Sequence, residues 1–227
     1  MKQTAIKALL FVMMPVIANA EQSVYIDQAG ENFTLTLQQY GGDGNSVGDA
    51  TSVTPYFEFD GDNMTLSWDF NGASNKVTGF LSGDSLTFDL GVEGDNNDML
   101  LNGTLIDNST YDINILGSSN IWELYLGQVT SASYSSLTYS LDGDDNEFTI
   151  TIDADGIAHD VAINGDYNNL SYFADGYGSS LDGHVFNLDL TGSSNTYNIT
   201  QETTAAAGNL DIVSVGSNQT INITQSD

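Results

Sequence analysis

Hydrophobic and polar residues alternate in short bursts along most of this chain, and glycine bounds nearly every burst. Met64, Leu66, Trp68 and Phe70 fall on one face of an extended segment. So do Leu86, Phe88 and Leu90, and again Phe148, Ile150 and Ile152, with Thr, Ser, Asn and Asp filling the opposite face. A period of two is that of a strand with one buried face. No sustained 3.6-residue pattern is present, and glycine recurs too often for helix. The pattern predicts an all-β chain.

The punctuation is itself a repeat: a glycine, one to three small or acidic residues, often an asparagine, then an alternating run. It occurs at Gly30 with Asn32, Gly61 with Asn63, Gly72 with Asn75, Gly83, and Gly94 with Asn97. It returns at Gly117 with Asn120, Gly143 with Asn146, Gly165 with Asn168, Gly192 with Asn195 and Gly216 with Asn218. Gly and Asn tolerate positive φ, so they form tight turns at low steric cost. The glycines at 61, 72, 83 and 94 are each eleven residues apart, and later intervals are close to twice that. Strand plus turn is the eleven-residue unit. Two units make a coil of about 22 residues, stackable at a strand spacing of ~4.8 Å as a β-solenoid. A β-sandwich or up-and-down β-barrel uses similar strands. The regular interval over 61–94 favours the solenoid, while 46–58, 127–140 and 173–183 break its regularity.

The ends divide the chain. Lys2 and Lys7 precede an apolar stretch from Ala8 to Ile17, and Ala18-Asn19-Ala20 has the form of a leader-peptidase site. The apolar stretch is shorter than the ~20 residues of a membrane span. Residues 1–20 are expected to be an export signal, and 21–227 one repetitive β domain beginning at Glu21. The expected location is secreted, extracellular or at the cell surface.

Charge narrows the partners. Without Lys2 and Lys7, Lys76 is the only basic side chain against 31 acidic residues, a net charge of −30. Such a surface repels phosphate backbones and anionic lipid, so neither nucleic acid binding nor membrane insertion is expected. Calcium or magnesium would be attracted weakly and diffusely. Cysteine is absent, so stability must come from a core and hydrogen bonds rather than disulfides.

Catalytic and cofactor signatures are missing. His159 and His184 belong to no metal-ligand spacing, His159 adjoins Asp160 and His184 follows Asp182 by two, and both are expected to be solvated turn residues. The letters G-x-S-x-G occur once, at Gly44-Asn45-Ser46-Val47-Gly48, but no helical pattern follows them, as a nucleophile elbow requires. The acidic turns Asp60-Gly-Asp62-Asn63, Asp142-Gly-Asp144-Asp145-Asn146 and Asp153-Ala-Asp155-Gly156 match no EF-hand loop. Tyr56, Trp122 and Tyr125 would line a sugar-binding strip if exposed and are strand filler if not. No metal, cofactor or catalytic residue is assigned. A polysaccharide-acting enzyme on such a fold is disfavoured by the absence of arginine.

Tyr25-Ile-Asp-Gln-Ala-Gly30 and Gln39-Tyr-Gly-Gly-Asp-Gly-Asn45 resemble curlin repeats, the units of curli fibres, with their Gln-x-Gly-x-x-Asn pattern. Ile199-Thr-Gln201 and Ile221-Asn-Ile-Thr-Gln225 echo it, so the resemblance covers residues 23–47 and 192–225. Gln28, Gln39, Gln201 and Gln225 each follow an aliphatic residue by two and fall on the aliphatic face. Stacking would align them as an amide ladder. The resemblance implies a self-associating fibre or surface-coat subunit with secretion partners and no catalysis. The expectation is thus a secreted structural or adhesive subunit, the alternative being an extracellular carbohydrate- or calcium-binding β-domain.

Overall fold

A computed structural model of the chain describes residues 9–13, 23–24, 26–40, 44, 46–48, 57–104, 107–127, 132–133, 135–155, 158–176, 185–203 and 209–226. Among these, every regular element is a strand. They are β1 (Leu9–Met13), β2 (Ser23–Val24), β3 (Asp27–Ala29), β4 (Thr34–Tyr40), β5 (Ser46–Val47), β6 (Phe57–Asp60) and β7 (Thr65–Asn71). Then follow β8 (Lys76–Ser82), β9 (Thr87–Glu93), β10 (Asp98–Thr104), β11 (Thr110–Leu116), β12 (Ile121–Leu126), β13 (Ala132–Ser133) and β14 (Ser136–Asp142). The last are β15 (Glu147–Asp155), β16 (Ala158–Asn164), β17 (Asn169–Gly176), β18 (Val185–Thr191), β19 (Thr196–Thr203), β20 (Asn209–Val215) and β21 (Thr220–Ser226).

From β7 onward successive strands, β13 apart, go alternately to two parallel sheets, as a solenoid requires. Sheet A runs β1-β4-β7-β9-β11-β14-β16-β18-β20, and sheet B runs β2-β5-β8-β10-β12-β15-β17-β19-β21, with β3 and β6 continuing its early coils. Pairing is in register, Thr87 opposite Thr110 and Phe148 opposite Leu170, so each coil repeats the last one strand spacing along the axis. The step from coil to coil is 22, 23, 26, 22 and 27 residues from Asn75 to Asn195. The solenoid is therefore the fold.

Alternation builds the core. The inward residues of both sheets meet in one buried column of aliphatic and aromatic side chains. Trp68 meets Phe88 edge-on at 5.2 Å, Tyr139 meets Phe148 at 5.2 Å, and Tyr172 stacks on Phe186 at 4.1 Å. The outward residues are mostly polar, with exceptions such as Leu116, Ile121 and Val185, which lets parallel sheets, ordinarily covered on both faces, stand in water on one.

Of the irregular stretches, 127–140 and 173–183 resolve into an edge effect. Every turn from sheet A to sheet B from Gly72 onward has four residues: 72–75, 94–97, 117–120, 143–146, 165–168, 192–195 and 216–219. Extra residues enter on the return side, between β12 and β14 and between β17 and β18, and inside the first coil between β5 and β6. From Gly72 onward length varies at one edge of the stack while the other stays constant, and the earlier extra residues interrupt sheet B itself.

Leu9–Met13 lies outside this scheme. Read from sequence as part of an export signal, it runs here as β1, parallel to β4 with Leu9 opposite Thr34 and Met13 opposite Gln38. The rest of residues 1–20, and Glu21, lie outside the described residues.

Candidate assembly surfaces and side-chain ladders

Glycine opens each turn because the coils approach too closely for any side chain. Gly83 has φ +132, and a Cβ there would stand 1.9 Å from the carbonyl oxygen of Gly61 in the preceding coil. Two positions later the chain turns left-handed, but the residue that does so is not always the asparagine marked in the sequence. Asn32, Asn63 and Asn218 have positive φ. In the other turns of the constant edge that place is taken by Ser74, Asn96, Ser119, Asp145, Tyr167 and Ser194.

The asparagines that follow them have a different task. Asn75, Asn97, Asn120, Asn146, Asn168 and Asn195 are buried. The backbone N–H of Asn75 donates to Oδ1 of Asn97 at 2.8 Å, and Asn97 N–H to Asn120 at 2.9 Å. The chain of bonds continues from Asn120 to Asn146 at 2.8 Å, Asn146 to Asn168 at 2.9 Å and Asn168 to Asn195 at 2.6 Å. Side-chain amides add cross-links: Asn97 Nδ2 donates to Asn120 Oδ1 at 3.0 Å, and Asn146 Nδ2 to Asn168 Oδ1 at 3.0 Å. Most of these buried polar atoms are satisfied by their own copy one coil away, which fixes the register, while Asn75 Oδ1 and Asn120 Nδ2 find no partner among the described residues. Gln219 ends the column, its Nε2 donating to the Gly192 carbonyl at 2.6 Å.

A parallel ladder uses the acidic residues of the turns. Asp62 Oδ1 accepts from Asp84 N–H at 2.9 Å, Asp95 from Ser118 at 2.7 Å, and Asp144 from Asp166 at 2.6 Å. These carboxylates bind backbone of the adjoining coil. Among the described residues no group of three or more His, Asp or Glu stands together to hold a metal.

The glutamines divide. Gln201 is buried, and Gln225 Nε2 donates to Gln201 Oε1 at 2.8 Å, forming a two-rung amide ladder. Gln39 is also buried but lies on β4 of sheet A, opposite Phe70, and so cannot join them. Its amide nitrogen and oxygen have no partner. Gln28 pairs with Phe59, which begins the column Phe59, Leu81, Gly103, Leu126, Ile152, Ala174, Gln201, Gln225. Gln28 and Gln225 thus stand at opposite ends of one column of sheet B.

One expectation is corrected, and Trp122 takes the strand-filling reading left open above. His159 is not a solvated turn residue: it is an inward residue of β16, buried, with its ring edge-on to Tyr172 at 5.4 Å and to Phe186 at 6.1 Å. Trp122 is buried in the core and cannot present a sugar-binding face, while Tyr125 is half-buried on the outer face. His184 and Tyr56 lie outside the described residues. Burial pushes the phenols of Tyr111, Tyr139 and Tyr172 far above their ordinary range.

The two ends differ from the flanks. Among the described residues β20 and β21 pair on one side only, and the inward Ile223 is 50% exposed there. Leu210, Ile212 and Ile221 pack against the core on one side alone. Comparison with protein-family models, with curated proteins and with solved structures gave no match.

Proposed function

We propose that this chain is a secreted, non-catalytic structural subunit of a surface coat or fibre, built by stacking copies end to end. The observation that supports the reading best is the open edge of the last described coil, whose strands offer unpaired backbone and apolar side chains to a further coil. The register supplies a matching partner. Thr220–Ser226 occupies the columns that begin at Ser23 and Asp27, so β21 of one copy laid against β2 and β3 of the next sets Gln225 beside Gln28. β20 then meets β4, with Asn209 opposite Thr34. Cleavage after Ala20 would remove β1 from β4 and free that edge.

Strong acidity opposes the assembly and gives it a handle. Like charges on successive copies repel, so stacking is favoured by salt and by protonation of carboxylates as pH falls toward about 4. The test is electron microscopy of the chain from Glu21 onward after dilution from denaturant. Fibres that grow faster with added salt are the expected result. A lasting monomer at high concentration and high salt would overturn the proposal.

A further inference from the structure

Away from its ends, the outer face of sheet A carries a groove centred on a glycine that no turn requires. Gly91 lies mid-strand in β9, in the outward column Asp69, Gly91, Asn114, Ser140. A mid-strand glycine weakens a strand and often marks a place where something approaches the backbone. Backbone geometry does not demand it: an added Cβ would come no closer than 3.6 Å to Asp69 Oδ1, an ordinary contact.

The missing side chain leaves a groove of about 310 Å³ running across the strands between that column and the next, Glu93, Leu116, Asp142. Leu116 is half-exposed and forms an apolar wall. Asp69, Glu93 and Asp142 rim the groove, and each accepts from a neutral donor: Tyr40 Oη at 2.5 Å, Asn71 Nδ2 at 2.7 Å and Asn164 Nδ2 at 3.1 Å. None has a cationic partner. Lys76, the one cationic side chain among the described residues, pairs with Asp98 on sheet B at 3.1 Å. From β7 to β14 is three strand spacings, ~14 Å.

We propose that this groove binds a linear aliphatic polyamine, its methylene segments lying over Gly91 and against Leu116 and its ammonium groups meeting Asp69, Glu93 and Asp142. The fit is one of charge and shape together. Small-molecule sites begin at about 300 Å³, so the groove suits a slender chain better than a folded partner or an oligosaccharide. A hydrated divalent ion would gain nothing from the apolar wall. The groove lies on the flank of the solenoid and stays open whether or not copies stack, so the proposal is independent of assembly.

The experiment is calorimetric titration of spermine into the full-length chain in a magnesium-containing buffer that absorbs diffuse attraction to the acidic surface. One polyamine per chain is expected. Gly91→Leu fills the groove at unchanged net charge and should weaken binding by at least about ten-fold. Leu116→Ser, at an exposed position where folding is not at stake, should weaken it several-fold. Asp160→Asn removes a charge from the same face outside the groove and should leave affinity within about two-fold. Equal binding by wild type, Gly91→Leu and Leu116→Ser would overturn the proposal. So would absence of saturable binding, or loss of it to magnesium at matched charge.

Discussion

Replacing Asn120 with leucine removes one rung of the buried asparagine ladder and should be among the costliest single changes in the protein. Asn120 Oδ1 accepts two hydrogen bonds from the preceding coil, from Asn97 N–H at 2.9 Å and from Asn97 Nδ2 at 3.0 Å. Leucine has similar bulk but no acceptor, so two buried donors lose their partner. Each unsatisfied donor costs about 1–3 kcal/mol, giving about 2–6 kcal/mol in total. The bond from the backbone N–H of residue 120 to Asn146 survives, because it does not use the side chain. For a chain of this size that loss lowers the melting temperature by about 5–20 °C. The control is Asn114→Ala on the outer face, where the side chain bonds only Asp112 and the change should stay within about 0.5 kcal/mol. Thermal melting followed by circular dichroism compares the two. Asn120→Asp adds a sign test: its carboxylate keeps an acceptor but buries a charge at neutral pH, whereas protonation in acid removes the charge and leaves the carbonyl oxygen to accept, so its deficit should shrink as pH falls. Equal melting temperatures for Asn120→Leu and Asn114→Ala would refute the reasoning.

Two further outcomes test other parts of the fold. Gly83→Val places a β-branched side chain at φ +132 with its Cβ 1.9 Å from the Gly61 carbonyl, and should unfold the coils on either side, whereas Thr87→Val on the outer face should be nearly neutral in the same melts. The Asp89 carboxyl is held above its ordinary range, first by partial burial and then by the charges of Asp112 and Asp69, so its ionisation destabilises the folded state as pH rises through its pKa. Asp89→Asn should therefore raise the melting temperature at pH 7 and have no effect at a pH well below about 3.8, where the wild-type carboxyl is already protonated; a gain that persists undiminished in acid would point to another cause.

Much of this architecture was legible because the solenoid writes both of its periods into the sequence. Alternation sets Trp68, Phe88 and Phe148 inward, and the glycine interval marks the coil, since Gly61 and Gly83 must each clear a carbonyl one coil away. What was not legible follows from residues with two uses. Asparagine serves both at positive φ, as Asn63 does, and as a buried rung, as Asn97 does, and spacing from glycine separates the two only once the turn length is known. His159 continues the inward series His159, Val161, Ile163, a signal that its neighbour Asp160 obscured. Gln39 and Gln28 look alike in sequence, yet strands alternate between sheets, so one falls opposite Phe70 on sheet A and the other opposite Phe59 on sheet B.

The claim that the two ends of this solenoid fit one another in a single register is tested most directly by a cysteine cross-link between copies. The chain has no native cysteine, so Gln28→Cys in one preparation and Gln225→Cys in another each introduce a single thiol. Within one chain the two positions lie at opposite ends of the sheet B column, so cross-linking between them can only be intermolecular. In a stacked pair they face across one strand spacing of ~4.8 Å, within the Cα separation a disulfide accepts. Mixed chains beginning at Glu21, oxidised during assembly, should yield the 28–225 disulfide as the dominant dimer by mass spectrometry, well above the yield from Gln39→Cys mixed with Gln225→Cys. Equal yields from the two mixtures, or none from the first in material that has assembled, would contradict end-to-end stacking in this register.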